Sequence, residues 1–324
     1  MSNNNETLAY ITKLQSISGQ ITFSMSLIIL LSGIIGNLLN CLVFAQRSLR
    51  TKPCVVYFFM ASIFNLIAIF SGITPRALQC FFSISDQTQT ISVLCKFQLF
   101  VVFSARTISS WLIALASIDR YLISSADILV RRMSNLKNTK FLILIISISS
   151  FLFWMEVGYC FDANLIGTPQ KCYAKSVPCR IFNDIAQSFI TTIIPSTIML
   201  IVGIFTIRNV QKSKKIGVLP ITIVSQGNGI TRRNEQSLTI MLIAQVILLT
   251  VFNLPQAGQK FYLTYSFYQT KTTSQQALET LLFNFVLFLT YISNCMPFYI
   301  YTITGTLFRK TLFKLLKSGI QYFH

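Results

Sequence analysis

The chain alternates between long apolar runs and short basic segments. Five runs contain no Lys, Arg, Asp or Glu: 21–45, 53–75, 185–207, 236–259 and 280–308. Each run exceeds the roughly 18 apolar residues that indicate a membrane-spanning helix. The pattern therefore predicts five spanning helices.

Two further runs are less regular. Residues 112–118, with the turns before them, form a sixth apolar run that is interrupted only by Arg106. Residues 141–155 form a seventh, shorter run, which extends through Glu156 to residue 161. We therefore predict an all-α membrane protein, built as a seven-transmembrane helix bundle.

The two ends of the chain differ from the bundle in composition. Residues 1–20 are polar and are predicted to form a short tail, with no cleavable signal peptide evident. After Gly305, apolar and basic residues alternate at helical spacing, which is typical of an amphipathic helix lying on the inner leaflet. The predicted divisions are a tail at 1–20, the seven-helix domain at 21–303, and the amphipathic helix with a short tail at 304–324.

Charge sets the predicted orientation. The 324 residues carry a net charge of +18, although only 11% of them are charged, against about a quarter in soluble proteins. With the N-terminus outside, the inner segments hold 18 basic and three acidic residues, a net charge of about +15. We interpret this excess as positive-inside sorting and contact with anionic lipids, not as nucleic-acid binding. A glycosylation sequon at Asn5 agrees with an outside N-terminus.

Polar residues and prolines within the apolar runs predict helix contacts and kinks. Asn37 and Asn65 each lie in hydrocarbon-length runs, so both should face the bundle, where they either approach each other or act simply as packing contacts. Pro195 lies in the middle of the fifth run, and Pro255 is expected to kink the sixth helix.

Several motifs occur together in one order along the chain. They are Gly36-Asn37 in helix one, Cys95 and Asp119-Arg120-Tyr121 at the two ends of helix three, Pro195 in helix five, Glu235 and Pro255 in helix six, and Phe298-Tyr-Ile-Tyr301 shortly before Phe308. On this basis the chain resembles the rhodopsin-like (class A) G-protein-coupled receptors over essentially its whole length. The segment from Phe298 to Phe308 looks like that of FMRFamide-type and related invertebrate peptide receptors.

The chain also departs from that family. Asn65 replaces the usual aspartate of helix two, and Pro297 stands where helix seven normally has asparagine. The resemblance therefore implies that the internal sodium site of the family is lost.

The resemblance implies a switch at the inner end of the bundle. In the resting state Arg120 would pair with Asp119 and Glu235 and would hold the inner cavity closed. Tyr121 and Tyr301 are the other residues assigned to this switch. An extracellular ligand, expected to be a neuropeptide, would shift helix six outward and admit a heterotrimeric G protein. The expected location is the plasma membrane. The alternative for the Arg120 contacts is a surface salt bridge of small energy.

The resemblance also implies a disulfide between Cys95 and the longest outer loop. Cys172 is the expected partner, with Cys179 as the alternative. A second bridge among Cys80, Cys160 and the remaining loop cysteine is possible, but the sequence does not specify it. Cys41, Cys54 and Cys295 are interpreted as small buried apolar residues.

Arg106 is the main candidate for a ligand contact. An arginine near the middle of a spanning helix is costly unless it faces a polar cavity or a partner. It would contact either the ligand, or Glu156 or another part of an internal polar network. The remaining candidates for the ligand pocket are Arg76, Val102, Glu156, Asp184, Asn253, Lys260 and Glu279. Val102 occupies the position where amine receptors carry an aspartate, so an amine anchored there is not expected.

Other functions fit the residues less well. The only histidine is His324, and no catalytic constellation, metal-ligand spacing or phosphate-binding glycine loop is visible, so neither an enzyme nor a cofactor is expected. A retinal-based light sensor would need a lysine in 280–308, which has none. A transporter or channel is the alternative, although internal repeats and broken helices are not visible.

Overall fold

The structure is a computed structural model. It describes the backbone of residues 2–82, 86–166, 168–216, 228–266, 269 and 272–321. Within these ranges it describes the side chains except those of 2–11, 14–15, 79–82, 213–216, 228–235 and 318–321.

Seven helices in the described ranges are long and apolar enough to cross a membrane, which confirms the predicted bundle. Six of them are α1 (Ser2–Phe44), α2 (Pro53–Phe82), α3 (Ser92–Ser124), α4 (Leu136–Trp154), α6 (Asn228–Tyr265) and α7 (Thr273–Thr304). The fifth, α5, consists of Val177–Ala186, a π-helical stretch Gln187–Ile193, and Ile194–Ile216. The predicted amphipathic helix is α8 (Thr306–Gln321).

Helix α1 begins earlier than the sequence predicts. Residues 1–20 were expected as a polar tail, yet the helix starts at Ser2, and its membrane-span candidate covers Ser16–Phe44. Each residue added to an existing helix gains one hydrogen bond, so the helix that begins in the apolar span can extend into the polar residues before it. The sequon residue Asn5 lies in this extension, and its side chain is outside the described part.

Local sequence signals explain several helix boundaries. Pro53 occupies the first position of α2, where its missing N–H would have no helical partner. The Asn135 side chain caps α4 by accepting a hydrogen bond of 2.9 Å from the Asn138 N–H. Thr272 and Gln275 form a capping box at the start of α7.

Pro195 explains the irregularity of α5. Proline has no N–H to donate, and its ring crowds the carbonyl of the preceding turn. The π-helical stretch Gln187–Ile193 ends two residues before Pro195, so the widened turns coincide with the place where α-helical bonding is interrupted.

Helix α3 is the central rod of the bundle, and α4 is peripheral. In the most apolar window of each helix, 67% of α3 residues are buried, against 17% for α4. The outward faces of the helices carry exposed apolar side chains such as Leu42, Phe70 and Leu152. Such a surface is expected where helices face lipid.

The two ends of the bundle differ, and we name them by what they carry. A two-stranded antiparallel hairpin, β1 (Phe161–Asp162) and β2 (Tyr173–Ala174), marks the hairpin end, with Phe161 opposite Ala174. A one-turn helix, Val157–Cys160, joins α4 to β1. The opposite, basic end carries Arg120 and α8, whose Phe308 and Leu312 are buried while Phe313 and Lys314 are exposed.

Candidate functional site

Two disulfides hold the hairpin over the helix ends. Cys95, at the start of α3, is bonded to Cys172, just before β2. Cys160, before β1, is bonded to Cys179 in the first turn of α5. The pairing of Cys95 is therefore with Cys172 and not with Cys179, and the Cys80 side chain lies outside the described part. These bonds tie the hairpin to α3 and α5.

A narrow cavity lies beneath the hairpin, among α2, α3, α5, α6 and α7. Its volume is about 60 Å³, enough for a few water molecules. The lining includes three cationic side chains and several amides: Arg76, Arg106, Lys260, Gln98, Asn183, Gln187 and Gln256. Tyr173 of β2 and Phe161 of β1 also line it, so the hairpin forms its roof.

Arg106 forms part of the cavity floor. It is 7% exposed, its Nη2 donates a hydrogen bond of 2.6 Å to Gln256 Oε1, and its guanidinium lies 5.9 Å from the centre of the Tyr291 ring. A hydrogen bond to a charged group contributes about 1.5–3 kcal/mol, and a desolvated cation–π contact about 2 kcal/mol. Burying one ion costs several kcal/mol, and these two neutral partners act against that cost.

Lys260 and Asp184 form a buried ion pair in the wall of the cavity. Lys260 Nζ lies 2.8 Å from Asp184 Oδ1, and both side chains are buried. Asp184 Oδ2 also accepts a hydrogen bond of 3.1 Å from the Thr264 hydroxyl and lies 4.0 Å from Arg180 Nε. The pair joins α5 to α6, and Asp184 is occupied by these contacts.

The Tyr173 ring lies close to two cations, Arg180 and Lys260. Its centre is 5.3 Å from the Arg180 guanidinium and 5.4 Å from Lys260 Nζ. Because the neighbouring Cys172 is bonded to α3, the hairpin is joined to α3 by a covalent bond and to α5 and α6 by cation–π contacts.

Half of the residues predicted for the ligand pocket line the cavity. These are Arg76, Val102, Arg106 and Lys260. Arg76 Nη1 also donates a hydrogen bond of 3.4 Å to Asn284 Oδ1 of α7.

The other four predicted pocket residues are not among those that line this cavity. Glu156 accepts a hydrogen bond of 3.5 Å from Asn183, and Asp184 is held in its ion pair. Asn253 accepts a hydrogen bond of 3.1 Å from Ser293, and Glu279 accepts one of 3.0 Å from Tyr262 in an exposed contact. Position along a helix does not by itself decide such contacts, because the rotation of the helix determines which side chains face the cavity.

Two partners of Arg106, Gln256 and Tyr291, are not predicted by the sequence. Gln256 follows Pro255 directly, and an amide in an apolar run is itself a signal of an internal contact. Tyr291 carried no comparable signal, since its position depends on the close approach of Gly72 in α2. A Cβ atom at Gly72 would overlap the Tyr291 hydroxyl.

A hydrogen-bond network that the sequence does not predict joins α3, α4 and α5. Trp154 of α4 is fully buried and donates a hydrogen bond of 2.9 Å to the Thr107 hydroxyl of α3. The Thr107 hydroxyl lies 2.8 Å from that of Thr191 in the π-helical stretch of α5. Trp111 donates a hydrogen bond of 3.0 Å to the Ile190 carbonyl, so the irregular part of α5 is attached to α3 at two places.

At the basic end, Arg120 is buried beside Asp119. Arg120 Nη2 lies 3.1 Å from Asp119 Oδ2, and the other Asp119 oxygen accepts a hydrogen bond from Ser134. The Tyr121 ring lies 6.2 Å from that of Phe205 in α5. Glu235 lies in α6, two turns after the helix begins at Asn228, and its side chain is outside the described part.

Tyr301 connects α7 to α6 at the same end. Its hydroxyl donates a hydrogen bond to Gln245 Oε1, and its ring lies 5.4 Å from Phe44 and 5.7 Å from Phe308. The Phe298 ring lies 6.0 Å from Phe308. The junction of α7 with α8 is therefore an aromatic cluster that also contacts α1.

Asn37 and Asn65 bond to separate partners, which fits the alternative that each is a helix-packing contact. Asn37 Nδ2 donates hydrogen bonds to the carbonyls of Gly33 and Asn294, at 2.9 and 3.0 Å. Asn65 Oδ1 accepts a hydrogen bond of 2.6 Å from Ser109 of α3. Asn37 thus joins α1 to α7, while Asn65 joins α2 to α3.

Comparison with known proteins agrees with this architecture. A curated relative from Caenorhabditis elegans, sex peptide receptor-related protein 2, is 23% identical over 257 residues, which are 71% of this chain and 56% of the relative. The chain therefore spans little more than half the length of that relative. Residues 36–301, from α1 to α7, match the family model described as "7 transmembrane receptor (rhodopsin family)". The chain belongs to the rhodopsin family of seven-transmembrane receptors.

Proposed function

We propose that the protein is a plasma-membrane receptor that binds an extracellular ligand at the hairpin end and activates a heterotrimeric G protein at the basic end. In this proposal the N-terminus is outside, α8 lies on the inner leaflet, and α6 moves outward on activation. The residue divisions are the tail 1–20, the receptor domain 21–303 and the segment 304–324.

The arrangement of α3 carries this proposal. Arg106 contacts the cavity and Arg120 lies at the basic end, 14 residues along the same helix and so about 21 Å away. Most residues of α3 from Val102 to Arg120 are buried, so a shift at the cavity can pass along the helix to the basic end. Ligand binding at the cavity and G-protein binding at the basic end would then be coupled, because both favour the same one of two conformations of the bundle.

The ligand is proposed to be a peptide. The name of the C. elegans relative, a sex peptide receptor-related protein, supports a peptide ligand for this chain as well. The cavity is narrow, and the hairpin roofs it. A peptide would therefore place one side chain or one terminus in the cavity and the remainder against the hairpin.

A reconstituted exchange assay tests this function. Purified receptor in lipid nanodiscs is mixed with a heterotrimeric G protein, and guanine-nucleotide exchange is measured against empty nanodiscs. Exchange above that background is expected for the wild type and should be lost in Arg120→Ala. Lys96→Ala, at the opposite end of α3, is the matched control and should retain exchange.

A transporter or channel predicts a different result. Receptor-containing vesicles would then accumulate or release solutes, and exchange would stay at background with every G protein tried. Flux in vesicles together with an absence of exchange would refute the receptor function.

A further inference from the structure

We propose that the cavity at the hairpin end recognises an anionic group of its ligand, a carboxylate or a sulfate, and that Arg106 contacts this group. The inference rests on the receptor function proposed above and specifies the chemistry of its ligand.

The lining of the cavity is more positive than negative. Arg76, Arg106 and Lys260 contribute cations, whereas Asp86 is the acid among the described lining residues. The Asp86 Oδ1 atom already accepts hydrogen bonds from the Thr88 N–H and hydroxyl, at 3.0 and 2.6 Å. A ligand with a cationic group would face net repulsion here, and an anionic group net attraction.

The cations of the lining differ in how their charge is balanced. Lys260 has Asp184 as a counter-charge at 2.8 Å. Arg106 contacts Gln256 and the Tyr291 ring, both neutral, and no carboxylate lies within 4.0 Å of it among the described residues. Among the described residues that line the cavity, Arg106 is therefore a buried charge with no acidic partner, and an anionic ligand would supply one.

The geometry suits an oxyanion. A guanidinium has five N–H donors, and its planar fork binds carboxylate and sulfate oxygens with two parallel hydrogen bonds. The described contact to Gln256 uses one nitrogen, Nη2. Gln187, in the π-helical stretch of α5, lines the same cavity and can donate a further hydrogen bond to the anion.

A competition among matched peptides tests the proposal. Purified receptor in nanodiscs is incubated with a mixture of short peptides, in which every sequence is present in three forms. These forms are a free C-terminal carboxylate, a C-terminal amide, and an amide that carries a sulfated tyrosine. Bound peptides are recovered and quantified by mass spectrometry.

Wild-type receptor should enrich at least one anionic form over its neutral amide by about tenfold or more, as expected for a buried charge pair. Enrichment of the carboxylate form points to a ligand terminus, and enrichment of the sulfated form to a modified side chain. Arg106→Gln should remove the preference, whereas Arg106→Lys should keep part of it. Lys175→Gln removes an exposed positive charge at the same end, away from the cavity lining, and should leave the preference unchanged.

Equal recovery of anionic and neutral forms by the wild type, including no recovery of either, would overturn the proposal. A preference that persists in a folded Arg106→Gln protein would overturn the role of Arg106. If that variant does not fold, the wild-type comparison and Arg106→Lys still decide the question. Ligand-free nucleotide exchange in the same nanodiscs reports on the receptor function separately, so its failure is distinguishable from a failure of the ligand chemistry.

Discussion

The Tyr301 hydroxyl of α7 donates its hydrogen bond to the Gln245 side chain of α6, in a part of the bundle closed to solvent. Three phenylalanines, Phe44, Phe58 and Phe308, surround the Tyr301 ring at 5.2 to 5.7 Å. An amide in an apolar helix needs such a partner, because an unpaired buried polar group is costly. The bond therefore holds α6 close to α7 in the conformation described here.

Replacing Gln245 with leucine should favour the open state. The change leaves the Tyr301 hydroxyl buried without its acceptor, which costs the closed state about 1–3 kcal/mol. We expect ligand-free nucleotide exchange to rise by about fivefold or more at equal receptor amounts. Ile247→Val, on the outward face of the same helix, is the control and should behave as wild type. Unchanged ligand-free exchange in Gln245→Leu would show that this bond does not hold the closed state.

Replacing Glu235 with alanine tests the other proposed restraint on α6. If Glu235 pairs with Arg120 in the resting state, its removal should raise ligand-free exchange, with a coupling of about 1–3 kcal/mol. The measurement is exchange at matched surface expression. An exchange rate equal to that of the wild type would show that Glu235 does not restrain α6, and the Arg120–Asp119 pair would remain as the ionic contact at this end. Combining Glu235→Ala with Gln245→Leu shows whether the two contacts act independently, since additive effects are expected for separate restraints.

Asp184→Asn should destabilise the hairpin end of the bundle. Asp184 is the counter-charge for Lys260 and also lies near Arg180, and removing one partner of a buried pair costs about 3–5 kcal/mol. Thermal unfolding of the purified protein should show a clear fall in Tm. The double variant Asp184→Leu with Lys260→Met should lose less, because no lysine charge is then left uncompensated. A Tm equal to that of the wild type in Asp184→Asn would contradict a structural role for the pair.

The two disulfides should stabilise the protein to different extents. The Cys95–Cys172 bond joins residues 77 positions apart, and the Cys160–Cys179 bond joins residues 19 positions apart. The longer loop removes more conformational entropy from the unfolded chain. The expected contributions are about 4.5 and 3 kcal/mol. Serine pairs at each bridge should lower Tm in that order. Peptide mapping without reduction should recover the two linked pairs, and a Cys95–Cys179 peptide would contradict the described pairing.

Much of the bundle follows from periodicity and charge. The seven spans can be predicted from the sequence. In the hydrocarbon core a backbone must satisfy its own hydrogen bonds, which a helix does, and the side chains of that helix must be apolar over the thickness of the membrane. The extent of α1 was not readable, because nothing in residues 2–20 resembles a span and the helix there continues from one. The sequence likewise does not predict the π-helical stretch before Pro195, although the proline marks an interruption of the helix.

The sequence marks some residues of the candidate site but not their partners, and Arg106 and Asp184 show why. The cost of a charge in an apolar run marks Arg106 from the linear chain, without knowledge of its surroundings. Whether a polar residue near a helix end faces the cavity, a neighbouring helix or solvent depends on the rotation of that helix about its axis. The pairing of Asp184 with Lys260, and the separate partners of Asn37 and Asn65, arise from that rotation. The membrane spans and their orientation thus follow from the free energy of transferring each residue from water to the membrane, which depends on that residue alone. The contact partners of each side chain depend instead on packing between helices that are far apart in the chain.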